Sequence, residues 1–149
     1  MQEVLLSIDV GTASLRSALV TPFCHILAID IHPLRLWQSS GRMEQSSDNI
    51  FNSPILSVKQ LISQHPEPVR TLAIGIDATA SQVLLNHSLK PLHLPGNPEA
   101  NILGWMDHRA QPQSVIINER FKSHTHQDLP SKQIPEMSLS KILPDYHLT

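Results

Sequence analysis

Val4-Leu5-Leu6-Ser7-Ile8-Asp9-Val10-Gly11-Thr12-Ala13-Ser14-Leu15-Arg16-Ser17-Ala18-Leu19-Val20 sets two apolar runs on either side of a Gly-Thr turn. The run Val4 to Val10 is almost continuously apolar, the pattern of a strand buried on both faces. Gly11-Thr12 turns the chain, Leu15 to Val20 forms a second strand, and Thr21-Pro22 breaks it. Cys24-His25-Ile26-Leu27-Ala28-Ile29-Asp30-Ile31 reads as a third strand, with Cys24 as a small core residue. Three short strands joined by tight turns describe an antiparallel meander.

Beyond the meander, Ser46-Ser47-Asp48 is a helix start, with Ile50, Phe51, Ile55, Val58, Leu61 and Ile62 at near-helical spacing. Pro54 either kinks that helix or is its first residue, with Ser53 as the cap. His65-Pro66-Glu67-Pro68 ends it in both cases. Leu72 to Ile76 reads as a fourth strand, again buried, and Gln82 to Leu85 as a fifth. Leu89 to Pro98 is a Pro-rich loop. Pro112 to Phe121 suits a short helix with Val115, Ile116 and Ile117 inward, and Ile142 and Leu143 are weak anchors near the end.

Composition narrows the function. The 149 residues suit one domain, with 11 Lys and Arg against 13 Asp and Glu and a net charge of −2. No nucleic-acid partner is implied, because phosphate-backbone binding needs a basic surface. The apolar windows fall well short of the roughly 20 residues that span a bilayer, so no membrane partner is expected. The start Met-Gln-Glu lacks a signal-peptide pattern, and the one cysteine, Cys24, suits a reducing compartment. A soluble, cytoplasmic protein is expected.

Three segments carry chemistry. Asp9-Val10-Gly11-Thr12-Ala13-Ser14-Leu15-Arg16 puts a carboxylate at a strand end beside a turn rich in N–H and hydroxyl groups. Such a turn can hold Mg2+ through its waters while amides and Thr12 receive phosphate oxygens. The same residues also make an ordinary hairpin with an Asp-x-Gly turn. Gly75-Ile76-Asp77-Ala78-Thr79-Ala80-Ser81 delivers a second Asp to a strand end, where ligand sites of open sheets collect, or simply a polar strand end. Gly104-Trp105-Met106-Asp107-His108-Arg109-Ala110 offers an aromatic face, a carboxylate, an imidazole and a guanidinium. These groups can bind vicinal hydroxyls and pack on a sugar ring, or form a surface ion pair in a loop. His124 and His126 are a solvated pair rather than metal ligands, and no Gly-x-Ser-x-Gly elbow is present.

Taken in order, these segments resemble the N-terminal part of the FGGY carbohydrate kinase family. The resemblance rests on Ile8 to Leu19, Glu44-Gln45-Ser46-Ser47-Asp48-Asn49-Ile50, Ile74 to Ser81, Asn101 to Ala110, and Pro135-Glu136-Met137-Ser138-Leu139-Ser140-Lys141-Ile142-Leu143. The central segments are most similar to the ribulokinase-like branch, which phosphorylates pentuloses such as D-ribulose. The resemblance implies an α/β fold: an incomplete ribonuclease-H-like, or actin-like ATPase, domain whose mixed sheet joins the three-strand meander to a parallel strand through a crossover helix.

It also implies roles. Asp9, Gly11, Thr12, Ser14 and Arg16 match the loop that faces the γ-phosphate of ATP, with Asp9 holding Mg2+ through water. Glu44, Gln45, Asp77, Ala78, Thr79, Trp105, Asp107, His108 and Arg109 match positions that meet the sugar. Residues 4–143 are then part of the kinase N-terminal domain, and the C-terminal nucleotide-binding domain is absent. The general base is expected beyond Thr149, so the chain alone is expected to be inactive. The alternative is a non-catalytic module, derived from such a kinase, that binds a sugar, a partner or a complementing subunit. Leu129 to Ile134 lacks the Gly pair usual there, and Pro54 falls inside an expected helix.

Overall fold

The computed structural model describes residues 1–142; the expected anchor Leu143 lies outside them. Two compact units emerge, one formed by residues 1–36 and 46–79, the other by residues 37–45 and the chain from residue 80 onward.

The first unit is built on the meander. Strands β1 (Gln2–Val10), β2 (Ser14–Val20) and β3 (Ile26–Pro33) pair antiparallel in sequence, and helix α1 (Ser47–Gln64) leads to β6 (Val69–Ala78), which lies parallel to β1. The order β3-β2-β1-β6 is the mixed sheet expected from the sequence. Successive side chains of a strand point to opposite faces, so Val4, Leu6, Ile8 and Val10 share one face. Leu15 and Leu19 of β2 join them, and Ile50, Val58 and Leu61 of α1 pack against this apolar set. Each such side chain contributes about 1.5–3 kcal/mol when fully buried. The one carboxylate that β3 offers to this face is matched, because the Ser57 hydroxyl of α1 donates to Asp30 at 2.5 Å.

Several expectations change. β1 is buried on one face only, since Ser7 is exposed and Leu5 half-buried; α1 covers a single side. Cys24 is no core residue: it sits exposed in a turn before β3, with φ of 65°, and its N–H donates to the Thr21 carbonyl. β6 is not a buried strand, for nearly all of it is exposed, Ile74 at 59% and Ile76 at 70%. Among the described residues β6 has β1 as its one strand neighbour, and an apolar sequence cannot bury itself without a covering layer. Pro54 lies inside an unbroken α1, whose cap is Ser46, accepting from the Asn49 N–H at 3.5 Å; the helix starts well before Pro54. The residue after α1, His65, closes the helix by donating to the Leu61 carbonyl, just before Pro66.

The second unit holds a smaller sheet, in the order β4-β5-β8-β7, from β4 (Trp37–Ser39), β5 (Arg42–Gln45), β7 (Gln82–Val83) and β8 (Ile102–Leu103). The β4–β5 hairpin was not expected from the sequence. Its two-residue turn is Ser40-Gly41, with φ of 47° and 78°, the double positive φ of a type I′ connection. The fifth strand stops at Val83, with Leu85 bridging to Pro91 in the expected loop. Trp37 packs on Leu94, Ala100 and Leu103. Helix α2 (Gln111–Thr125) runs longer than expected and starts beside Pro112, where a missing N–H costs nothing. Val115 is exposed on α2 rather than inward, and Ile142, after the short helix α3 (Ser138–Lys141), is exposed too. Among the described residues no helix is long and apolar enough to cross a membrane.

Candidate functional site

The residues singled out above fall into two clusters, one in each unit. In the first unit, Asp9 and Asp77 are register partners on the parallel strands β1 and β6, so both carboxylates stand on the face opposite α1. Arg16, the cross-strand partner of Asp9 on β2, donates to Asp9 at 2.9 Å in an exposed ion pair. The Gly11 N–H closes its own turn on the Ser14 carbonyl at 3.0 Å, so this amide is already engaged. Ser14 opens β2. Asp77 accepts from the Ala78 N–H at 2.9 Å, and the Thr79 N–H donates to the Val10 carbonyl at 3.1 Å, tying the two strand ends together. Two oxygen-donor carboxylates beside a guanidinium fit Mg2+ held through water next to phosphate. Among the described residues no three His, Cys, Asp or Glu side chains converge as a metal cage.

The second unit builds a denser cluster around Arg109. Its guanidinium donates to Asp107 at 2.7–3.0 Å and to Glu44 at 2.5 Å. Asp107 is fully buried, at 0% exposure, and accepts from the Met43 N–H at 2.8 Å and the Arg109 N–H at 3.1 Å. Glu44, also buried, accepts from the Asn97 amide at 2.9 Å. Burial alone lowers the basicity of the Arg109 guanidinium. The hydrogen bonds to Asp107 and Glu44 outweigh that cost and hold it above its ordinary range, so Arg109 stays a cation. Gln45 is buried next to Glu44, its carbonyl accepting from the Asn101 N–H. In the same segment Trp105 is 40% exposed, and the exposed His108 imidazole sits 3.0 Å from Glu136.

Backbone fixes how this segment is presented. The Asp107 N–H returns to the Gly104 carbonyl, and the His108 N–H donates to the Gly41 carbonyl in the hairpin turn. Gly104 lies so close to β5 that a Cβ there would stand 2.8 Å from the Met43 side chain and 3.0 Å from its carbonyl. Gly104→Ala is therefore expected to cost about 1–3 kcal/mol, the usual penalty of overpacking. A thermal scan that leaves the midpoint unchanged would show that Met43 yields without cost.

Asn97, Glu136 and Lys141 complete the second cluster, and sequence reasoning passed over all three. Asn97 lies in the Pro-rich loop and the other two in the trailing segment, with no local pattern to single them out. Glu136 and Lys141 stood inside the resemblance without a role of their own.

The chain shares the fold of glycerol kinase from Plasmodium falciparum, solved with ADP, which superposes with a TM-score of 0.70 at 18% identity, over 94% of this chain and 28% of that one. No model of a protein family matches the chain. Among curated proteins, an FGGY carbohydrate kinase domain-containing protein of Xenopus laevis is 39% identical over 115 residues, 74% of this chain and 20% of the relative. D-ribulokinase of Saccharomyces cerevisiae is 32% identical over 117 residues, 74% of this chain and 16% of the relative. The chain belongs with the FGGY carbohydrate kinases, and it spans about a fifth of the length of the curated relatives it matches.

Proposed function

We propose that residues 4–143 are part of the N-terminal domain of an ATP-dependent kinase that phosphorylates a pentulose such as D-ribulose. The observation that carries this reading is the buried Glu44–Arg109–Asp107 network, with the exposed Trp105 and His108 in the same five-residue segment as Asp107 and Arg109. A network that satisfies its own charges is a rigid floor, and the groups left at its rim suit a small polyol. The Trp105 indole offers a face to C–H groups, while His108 and Glu136 offer polar atoms to hydroxyls. Asp107, being buried, acts here by orienting Arg109 rather than by touching the sugar. The D-ribulokinase relative supports a pentulose as the substrate.

In the same reading Asp9, Asp77 and Arg16, with Thr12 and Ser14 in the turn, face the phosphates. Mg2+ bound with ATP would supply charge neutralisation there, held by Asp9 through water. In a complete kinase of this kind the hydroxyl oxygen of the sugar would attack the γ-phosphorus of ATP, with ADP leaving and the hydroxyl proton passing to a base. Glu44 and Asp107 do not serve, because Arg109 occupies both. These two carboxylates thus serve recognition, and we expect the chain alone not to turn over. The exposed, unpaired Cys24 supports a cytoplasmic setting.

Isothermal calorimetry tests the assignment. Saturable D-ribulose binding is expected, and Trp105→Ala should weaken it about tenfold, since that is the effect of about 1.4 kcal/mol. Equal binding by the variant would remove the site assignment.

A second reading, a non-catalytic module that binds a partner or complementing polypeptide, is favoured by the bare apolar edge at β6. It gains if the wild-type chain binds no D-ribulose.

A further inference from the structure

Among the described residues of the second unit, Lys141 is the most deeply buried charged residue after Asp107, at 1% exposure, and its hydrogen-bond partners are carbonyls. Its Nζ donates to the Gly104 carbonyl at 2.7 Å and to the Trp105 carbonyl at 3.1 Å. The Gly104 oxygen also accepts the Asp107 N–H at 3.0 Å, so Lys141 clamps the carbonyl on which the turn closes.

We propose that Lys141 is the positioning residue of the turn from Gly104 to Arg109: its ammonium, brought in by α3, fixes the Gly104–Trp105 peptide and so holds Trp105 and Arg109 in the arrangement that meets the substrate. The substrate part of this inference rests on the sugar reading above.

Three physical arguments support it. One ammonium with three donors adds a second donor to the Gly104 carbonyl and reaches the neighbouring Trp105 carbonyl as well, tying both ends of one peptide unit to α3. The Glu44, Asp107 and Arg109 set has one more negative than positive charge, and Lys141 balances it inside a buried region. Its own basicity is lowered chiefly by that burial and further by Arg109, while Asp107 and Glu136 act in the opposite direction. A charge held against burial by two carbonyls and two nearby carboxylates belongs to the local design of the turn. A lysine serving only to fill space would be replaceable by methionine.

Lys141→Met and Lys141→Arg in the full chain test the idea, using amide hydrogen exchange and D-ribulose calorimetry. In Lys141→Met, residues 103–109 should exchange about tenfold to hundredfold faster, matching the loss of hydrogen bonds from a charged donor. Helices α1 and α2 should keep wild-type protection. D-ribulose binding should weaken about tenfold, and Lys141→Arg, which keeps charge and donors, should recover most of both effects.

Unchanged exchange at 103–109 in Lys141→Met would overturn the proposal. So would equal acceleration across α2, which would make Lys141 a general prop of the unit. An opened turn with wild-type sugar affinity would overturn the role toward substrate. If the wild-type chain binds no D-ribulose while Lys141→Met still opens the turn selectively, the sugar reading falls and the clamp stands.

Discussion

Asp107→Ala is expected to destabilise the second unit by about 3–5 kcal/mol, the usual cost of removing one partner from a buried ion pair. Domain stabilities are commonly only about 5–15 kcal/mol, so this change should bring that unit near unfolding. The reason lies in what the carboxylate holds together. Its two oxygens, fully buried themselves, accept from the Met43 N–H, the Arg109 N–H and the Arg109 guanidinium. Without it Arg109 keeps one carboxylate, Glu44, and the charge of Lys141 keeps Glu136 as its one nearby carboxylate. Both tryptophans, Trp37 and Trp105, lie in the second unit, so their fluorescence reports its unfolding separately. Urea titration should show the fluorescence midpoint falling well below that of wild type. Amide protection of α1, in the first unit, should persist at denaturant concentrations that already unfold the variant's second unit. Asp107→Asn, which keeps an oxygen acceptor of similar shape, should fall between. A fluorescence midpoint within error of wild type for Asp107→Ala would mean that the network is ornamental to stability.

The other large effect concerns β6. Ile74 and Ile76 stand beside Leu6 and Ile8 in the register, on the face that α1 covers only over its other strands. A groove lined by Leu6, Ile8, Pro54, Ile55 and Val58 continues that apolar surface. On β3, Ile26, Ile29 and Ile31 are exposed as well. A long apolar edge strand is a template for pairing with other chains. The isolated chain is therefore expected to self-associate with rising concentration, and Ile74→Lys/Ile76→Lys should suppress this. Because both side chains are already exposed, the double substitution should alter the unfolding free energy by no more than about 0.5 kcal/mol per site. Sedimentation velocity over a wide concentration range checks it. A wild-type chain that stays monomeric throughout, or a variant that associates equally, would show that this edge is inert.

The meander, α1 and its cap at Ser46 were legible because they depend on short-range patterns: apolar runs, turn residues and a capping hydroxyl. Asp9 and Asp77 were legible as strand-end carboxylates for the same reason. Their alignment in register waited for the parallel pairing of β1 with β6, across more than sixty residues of chain. The burial of β6 was misread since apolar composition records what a strand can bury, while a second layer decides whether it does. Cys24 was misread because a positive φ in a four-residue turn outweighed the apolar run that follows it. The Ser40-Gly41 dipeptide was the overlooked signal for the β4–β5 hairpin, whose flanking strands are too short to show a period.

For the sugar-side cluster, the residues Trp105, Asp107, His108 and Arg109 stand within five positions and declare their chemistry in sequence. Tertiary structure assigns their parts. It buries Asp107 and leaves Trp105 at the rim. It brings Glu44 from β5 and Lys141 from α3 onto one turn, and Asn97 from the loop onto Glu44. By itself, then, the sequence determined local geometry and the kinds of group on offer, because backbone preference and side-chain chemistry act over a few residues. Which carboxylate is satisfied, which apolar face stays wet and which lysine holds a carbonyl were decided by packing, because desolvation depends on everything that surrounds a group.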